Sequence, residues 1–291
     1  MEKLVTVVGL TSSGKSTLGI ELAKYFNGEI ISADSRQVYK NLDWCSGKVD
    51  EYEKKQAPHH LLDVVELGKQ FTLFDYQNLA YKAIDDVISR GKLPILVGGT
   101  GLYSRAIVEG YNLTETKADE KFRVELEKLS KEELIDKCKQ LHIELPNEIT
   151  SRRLIRLIET AGKLKKPNQP KYDVIQIGIR WSREAIYERI KLRLEKRMPN
   201  MIEEIKNLIS KGVSTEFLMS LGLEAKFVTE YFSGKFDGYE TFFEELFKEE
   251  RHFAKRQQTW FNKEKNLIWI DADENLTRNA IYEIEKFLNK K

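Results

Sequence analysis

The chain has 291 residues, 41% of them hydrophobic, and its 48 Lys and Arg nearly balance its 46 Asp and Glu, leaving a net charge of +2. This length allows one large domain or two modest ones, and the balance excludes a uniformly basic binder, so any nucleic-acid surface has to be a local patch. Two distant cysteines, Cys45 and Cys138, four scattered histidines and no apolar run near the ~20 residues of a membrane span exclude a zinc pattern, a disulfide scaffold and a helical span; they point to a reduced, cytoplasmic setting.

In chain order, Leu4–Val8 is an apolar run of strand length that starts too close to residue 1 for a signal peptide. It feeds Gly9-Leu10-Thr11-Ser12-Ser13-Gly14-Lys15-Ser16, which fits G-x-x-x-x-G-K-[S/T], and a helical pattern follows from Ser16. Strand, glycine-rich turn and helix start together cradle a di- or triphosphate: backbone N–H groups and the helix dipole face the anion, Lys15 adds a full charge, and Ser16 offers a hydroxyl to Mg²⁺. Leu18, Leu22, Tyr25 and Phe26 share a helical face, and Asn27-Gly28 ends the helix with Gly28 as the left-handed cap. Glu29–Ser32 reads as a second strand running into Ala33-Asp34-Ser35-Arg36-Gln37. A carboxylate at a strand tip beside a phosphate loop sits where open α/β sheets bind ligands. Asp34 is there a general base or an outer ligand of Mg²⁺, or else a cap for the next turn.

Residues 38 to 70 read as irregular, with His59 and His60 as structural loop residues. A helix is expected over Leu73–Ser89, with Phe74, Leu79, Ala83, Ile84, Val87 and Ile88 as its apolar stripe; Gly91 and Pro94 mark the break after it. Ile95–Val97 is a buried strand ending in Gly98-Gly99-Thr100-Gly101. A tight turn accounts for the glycines but not for a hydroxyl, so Thr100 is a candidate for orienting a substrate. The acid that P-loop motors place at a strand end to hold Mg²⁺ is missing here, which argues against a nucleotide-hydrolysing motor.

Charged helical sequence without a convincing strand runs from Lys117 to Lys166, and Lys163–Lys171 reads as an exposed connection. Strand patterns return at Val174–Ile179 and Leu267–Ile270. The order implies an α/β fold: a P-loop NTPase-like parallel sheet wound by helices (1–113 and 172–291) with a helical insertion (114–171). In the insertion, Arg152, Arg153 and Arg156 share a helical face, whose plain reading is a solvated surface with an Arg156–Glu159 pair. Arg189, Arg193 and Arg197, opposite Ile186, Ile190 and Leu194, suit a surface stripe or a phosphate-binding face equally. A last long helix from near Gly238, cored by Phe242, Phe243, Leu246, Phe247, Phe253 and Ala254, ends in Lys255-Arg256-Gln257-Gln258-Thr259-Trp260. These side chains suit RNA, although an indole there more often packs into a core or rim.

Six segments together resemble one family: Gly9–Ser16, Ile31–Tyr39, Ala57–Asp63, Leu96–Tyr103, Arg153–Glu159 and Lys255–Trp260. In this order they are similar to the tRNA dimethylallyltransferases, which prenylate the adenosine next to the anticodon. The resemblance implies that dimethylallyl diphosphate seats its diphosphate on Gly9, Leu10, Thr11, Ser12, Ser13, Gly14, Lys15 and Ser16, with Mg²⁺ on Ser16. It implies that Asp34 takes the proton of the adenine amine and that Thr100 orients the base. It further implies contacts to the tRNA anticodon arm from Asp34, Ser35, Arg36, Gln37, Thr100, Arg123, Arg152, Arg153, Arg156, Lys255, Arg256, Gln257 and Trp260, by a monomer. Three departures stand out: Leu10 where the family has proline, Ser46-Gly47-Lys48-Val49 where it often has Thr-Ala-Lys-Pro, and Gly222-Leu223-Glu224 where Gly-Tyr-basic is usual. No ligand contact is therefore carried over to residues 219–224. Rival readings are an adenylate isopentenyltransferase, a small-molecule P-loop kinase, and a nucleotide-gated RNA-binding module without catalysis.

Overall fold

Strand β1 (Lys3–Val8) is buried along almost its whole length, as a strand must be when helices cover both faces of its sheet. Its side chains alternate: Leu4 packs into one core while Val5 and Val7 pack into another. In this computed structural model, which describes residues 1–113, 120–145, 149–160 and 168–290, β1 lies inside a parallel sheet of order β3-β2-β4-β1-β5-β6. The other strands are β2 (Gly28–Ser32), β3 (His59–His60), β4 (Leu93–Gly98), β5 (Asp173–Arg180) and β6 (Leu267–Asp271). Val8 pairs with Gly98 and Gly178, and Ser32 with Val97, so β1, β2, β4 and β5 end close to one another along one rim.

Helix α1 (Lys15–Tyr25) covers one face with Leu18, Ile20, Leu22 and Ala23, together with Ala280 and Ile284 of the last helix. Between β2 and β4, α2 (Glu51–Gln56) precedes β3 and α3 (Leu73–Ser89) follows it; α4 (Gly101–Val108) leaves β4. On the opposite face, α3 contributes Tyr76, Ala80 and Ile84, and α4 contributes Tyr103 and Ile107, around Leu4, Ile31 and Leu96.

The chain divides into two compact units, Met1–Gly110 with Pro170–Lys291, and Tyr111–Gln169. The smaller unit holds α5 (Glu120–Glu127), α6 (Lys131–Gln140) and α7 (Ser151–Glu159) around its own core of Leu126, Leu134, Cys138, Leu154, Ile155 and Ile158. The larger unit continues with α8 (Arg183–Ser210), α9 (Thr215–Ser220), α10 (Leu223–Phe232), α11 (Gly238–Phe261) and α12 (Leu276–Leu288). Val38 and Leu42 join Met198, Met201, Ile205, Phe242 and Leu246 in a further core. Among the described residues no helix is long and apolar enough to cross a membrane.

Several expectations are corrected. Asn27 takes the left-handed conformation at φ 51, while Gly28 opens β2, where a side chain would strike the Leu93 carbonyl at 2.6 Å. Tyr25 is 57% exposed and donates to Glu285 Oε1 at 2.9 Å, outside the apolar face. The stripe of α3 is centred on Tyr76, Ala80, Ile84 and Val87 rather than on Phe74 and Leu79. Pro94 lies inside β4 instead of before it. Residues 38 to 70 contain α2, with an Asp50–Glu53 capping box, and β3. The histidines of β3 are structural: His60 Nε2 lies 2.7 Å from the buried Glu29 carboxylate, which also meets Arg90 and Lys92. Arg90 first, then Lys92 and His60, hold that carboxyl well below the usual range. Of the helical reading from Lys117 to Lys166 and the connection at Lys163–Lys171, residues 117–119, 146–148 and 161–167 lie outside the described residues.

Candidate active site

The phosphate loop is shaped by donors that hold its carbonyls. Trp181 Nε1 donates to the Ser13 carbonyl at 3.0 Å, and Arg189 Nε donates to the Ser12 carbonyl at 2.8 Å. A trans peptide sets its N–H opposite its C=O, so turning the Ser13 carbonyl toward Trp181 turns the Gly14 N–H the other way. Gly9 at φ 149 and Gly14 at φ 91 supply the backbone angles, and Ser12 takes the left-handed region at φ 59. Gly14 caps α1 without a side chain, leaving the first N–H groups of the helix free of a capping group. The Leu10 side chain anchors the loop by packing on Ile186, Ile190 and Ala254.

Lys15 lies across this loop: Nζ donates to the Leu10 carbonyl, and its chain passes close over Gly99. Burial first, then Arg193, pushes Lys15 down to about 7, against the raising effect of Asp34. Asp34, at the tip of β2, is thus near enough to act on the charges of Lys15 and Arg193. Its Oδ1 accepts from the backbone N–H of Arg36 at 2.8 Å, so one oxygen does cap the next turn. Hydrogen bonds to Oδ2 are absent among the described residues, so the same side chain keeps one oxygen for other work.

Thr100, after β4, makes no cap bond to α4. Its Oγ1 accepts from Ser35 N–H at 3.1 Å and donates to Ser35 Oγ at 3.4 Å, tying the two strand tips together. Gly98 is required because a side chain there would run into the Ala33 backbone. Gln37 donates to the Gly47 carbonyl at 3.2 Å, and Arg36 packs against Gly222.

Helix α8 decides the question left open by its arginines. Their face meets the phosphate loop: Arg193 Nη1 donates to Thr11 Oγ1 at 3.3 Å, its Nη2 to the Gly47 carbonyl at 3.4 Å, and Arg197 Nε to the Trp44 carbonyl at 3.0 Å. Arg189 also stacks on Trp181, 4.4 Å from the ring centroid. Burial first, then Arg197, lowers the pKa of Arg193, while Glu224, Glu250 and Asp34 oppose the shift. Sequence reasoning gave Glu250 and Trp181 no role, and noted Gly47 and Glu224 only as departures from the family pattern. For the arginines, their spacing by four beside an apolar stripe was the available signal.

The remaining residues expected at RNA fall into two groups. Lys255 and Arg256 are exposed on α11, and Arg152 and Arg153 are exposed on α7. The others have partners within the protein. Gln257 is buried; its Oε1 accepts from Thr11 N–H at 2.8 Å and its Nε2 donates to the Gly99 carbonyl at 2.9 Å, strapping the phosphate loop to the β4 turn. Trp260 lies against Gly101 and beneath the Arg105 guanidinium at 4.3 Å. Arg123 grips the Glu159 carboxylate at 2.7 and 2.8 Å, and Arg156 joins it at 3.2 Å, so the Arg156–Glu159 pair exists.

A parallel sheet with a glycine-rich loop after an inner strand, a carboxylate on a neighbouring strand tip and cations from a facing helix is the arrangement of an α/β P-loop protein. The family model described as IPP transferase matches residues 37–264. A tRNA dimethylallyltransferase 2 of Shewanella sediminis is 41% identical, the match covering 95% of this chain and 96% of that one. A tRNA dimethylallyltransferase of Streptococcus agalactiae is 39% identical over 99% of both chains. The crystal structure of a tRNA isopentenylpyrophosphate transferase from Bacillus halodurans superposes with a TM-score of 0.75 at 34% identity, covering 99% of this chain and 96% of that one. The chain belongs to the tRNA dimethylallyltransferase family.

Proposed function

We propose that the protein transfers a dimethylallyl group from dimethylallyl diphosphate to the exocyclic amine of the adenosine 3′ of the anticodon in tRNA. What supports this most is the convergence of Lys15, Asp34 and Thr100 at the ends of β1, β2 and β4, within a family of that activity. In this reading the diphosphate lies on the N–H groups from Gly14 onward, with Lys15 and Arg193 facing its developing charge. Diphosphate also gives the lowered Lys15 a reason to hold its proton. The adenine amine is a poor nucleophile because its lone pair is delocalised into the ring. Asp34 removes its proton through the oxygen left free by the turn as the new carbon–nitrogen bond forms and the allylic carbon–oxygen bond breaks. Thr100 and Ser35 position the base.

The donor set fits Mg²⁺ held partly by substrate. Among the described residues no three His, Cys, Asp or Glu side chains gather into a metal cluster, but Mg²⁺ on phosphates needs only one or two protein ligands. Ser16, in the first turn of α1, would be such a ligand; the ion would neutralise charge on the leaving group. The anticodon arm meets the exposed Lys255, Arg256, Arg152 and Arg153, and a base splayed out of the loop enters the site. The protein acts as a monomer in the cytoplasm, in keeping with two free, buried cysteines.

The test is direct. The protein is mixed with Mg²⁺, labelled dimethylallyl diphosphate and either unmodified tRNA or AMP. Label in tRNA at the adenosine 3′ of the anticodon is expected. Label in AMP would make it an adenylate isopentenyltransferase, and ATP consumption without label transfer would make it a kinase.

A further inference from the structure

Two carboxylates stand behind the arginines of α8, and nothing in the reaction uses them. Glu250, on α11, is 5% exposed. Glu224, on α10, lies 3.5 Å from Arg197 Nη2. The Glu224 carboxyl is near enough to act on the Glu250 carboxyl. Two ionised carboxylates at short range in a buried site repel, and a proton on one of them removes the repulsion. Glu250 is the one to carry it: burial first, then the Glu224 charge, raises its carboxyl well above the usual range, while Arg197 and Arg193 oppose the rise. Glu224 faces Arg197.

The placement matters because of what lies on the other side. Arg193, Arg197 and Glu250 line a gap of about 10 Å³ beside Thr11, the room of a single water. Arg193 spans from there to the Thr11 hydroxyl of the phosphate loop. Gly47, at φ 60, leaves the space that both guanidinium groups occupy.

We propose that Glu250 and Glu224 are positioning residues: as a pair carrying one negative charge they hold Arg197 and Arg193 in place, so that Arg193 reaches the phosphate loop without losing its own charge to a buried acid. One negative charge against two cations leaves a surplus for an incoming anion. Two negative charges would cancel it, and none would leave the arginines repelling each other. The pair rests on the reading of the loop as the diphosphate site.

The experiment uses the full chain with inorganic pyrophosphate as the probe, alongside KM for dimethylallyl diphosphate and for tRNA. E250A and E224A are expected to weaken pyrophosphate about tenfold and to raise KM for dimethylallyl diphosphate in step, with KM for tRNA unchanged. E250Q keeps the neutral hydrogen-bonding group and is expected to restore pyrophosphate binding to within about threefold of the parent. A merely structural role would lower the melting temperature and leave that split between the two KM values unmoved. If both E250A and E224A bind pyrophosphate as the parent does, or if E250Q is as impaired as E250A, the pairing is wrong. The Lys15→Ala variant separates the two failures. If it loses pyrophosphate while E250A and E224A keep it, only the pairing falls; if it binds pyrophosphate normally, the loop is not the diphosphate site and the pairing falls with it.

Discussion

Asp34 does two jobs with two oxygens, and the substitutions that separate them follow from its hydrogen bonds. Oδ1 holds the turn at Arg36, so Asp34→Ala loses the base and a local cap worth ~1 kcal/mol. Asp34→Asn keeps an acceptor for the turn but cannot take a proton. Asn is therefore expected to retain the parent's melting temperature and pyrophosphate affinity, while single-turnover prenyl transfer falls ~10²- to 10⁴-fold; near-normal transfer by the Asn variant would remove Asp34 as the base. Lys15 makes a second prediction. Its pKa lies at about 7 in the folded protein, against about 10.4 in an unfolded chain. Between those values the unfolded chain holds more protons, so this group makes stability rise with pH across that window and adds no slope below it. A bound diphosphate raises the pKa again. Pyrophosphate binding at pH 8 is thus expected to take up close to one proton, and at pH 6 almost none. Titration calorimetry in buffers of different ionisation enthalpy measures this directly.

Among the elements, those carried by periodicity and punctuation were legible: β1, the start of α1, the span of α3 and the long α11 all follow from apolar spacing with a recognisable start. What was not legible depends on partners far along the chain. Asn27 and Gly28 each fit a left-handed cap locally, and only the closeness of the Leu93 carbonyl assigns Gly28 to the strand. Helix α2 buries no residue and β3 is two residues long, so neither writes an apolar period. Arg189, Arg193 and Arg197 were visible as one face of α8, but what that face meets is set by the packing of α8 on Leu10. The turn at Gly47 shows the same dependence: its glycine is explained only by the two guanidinium groups packed over it. Gly47→Ala places a side chain at φ 60 and against Arg193. It is expected to cost ~1–2 kcal/mol in denaturant unfolding and to weaken pyrophosphate severalfold. Full stability together with full affinity would show that the turn is free to adapt.

On the scale of the molecule, the residues proposed for chemistry lie in one unit, while those proposed for RNA are divided between both. The phosphate loop, Asp34 and Thr100 belong to the sheet unit, whereas Arg123, Arg152, Arg153 and Arg156 belong to the small helical unit with its own core. The motifs marked these segments, but a motif does not say whether an arginine faces outward or is already spent. Arg123 grips the almost fully buried Glu159 carboxylate, while Arg153 is exposed at the surface whatever else it touches. With a net charge of only +2, the protein gains little from its overall field, so RNA affinity has to come from such local cations and has to fall with salt. The two arginines therefore separate in experiment. Arg153→Ala is expected to weaken tRNA binding at all salt concentrations and to reduce the slope of log K against log salt by about one. Arg123→Ala strands Glu159 without its bidentate partner, so it is expected first to destabilise the helical unit, seen as faster amide exchange on α5 and α7, and to weaken tRNA binding as a consequence. Pyrophosphate binding is untouched in both, because its ligands lie in the other unit. If Arg153→Ala leaves the salt slope as it was, the exposed face of α7 does not meet phosphates, and the exposed Lys255 and Arg256 on α11 become the next cations to substitute.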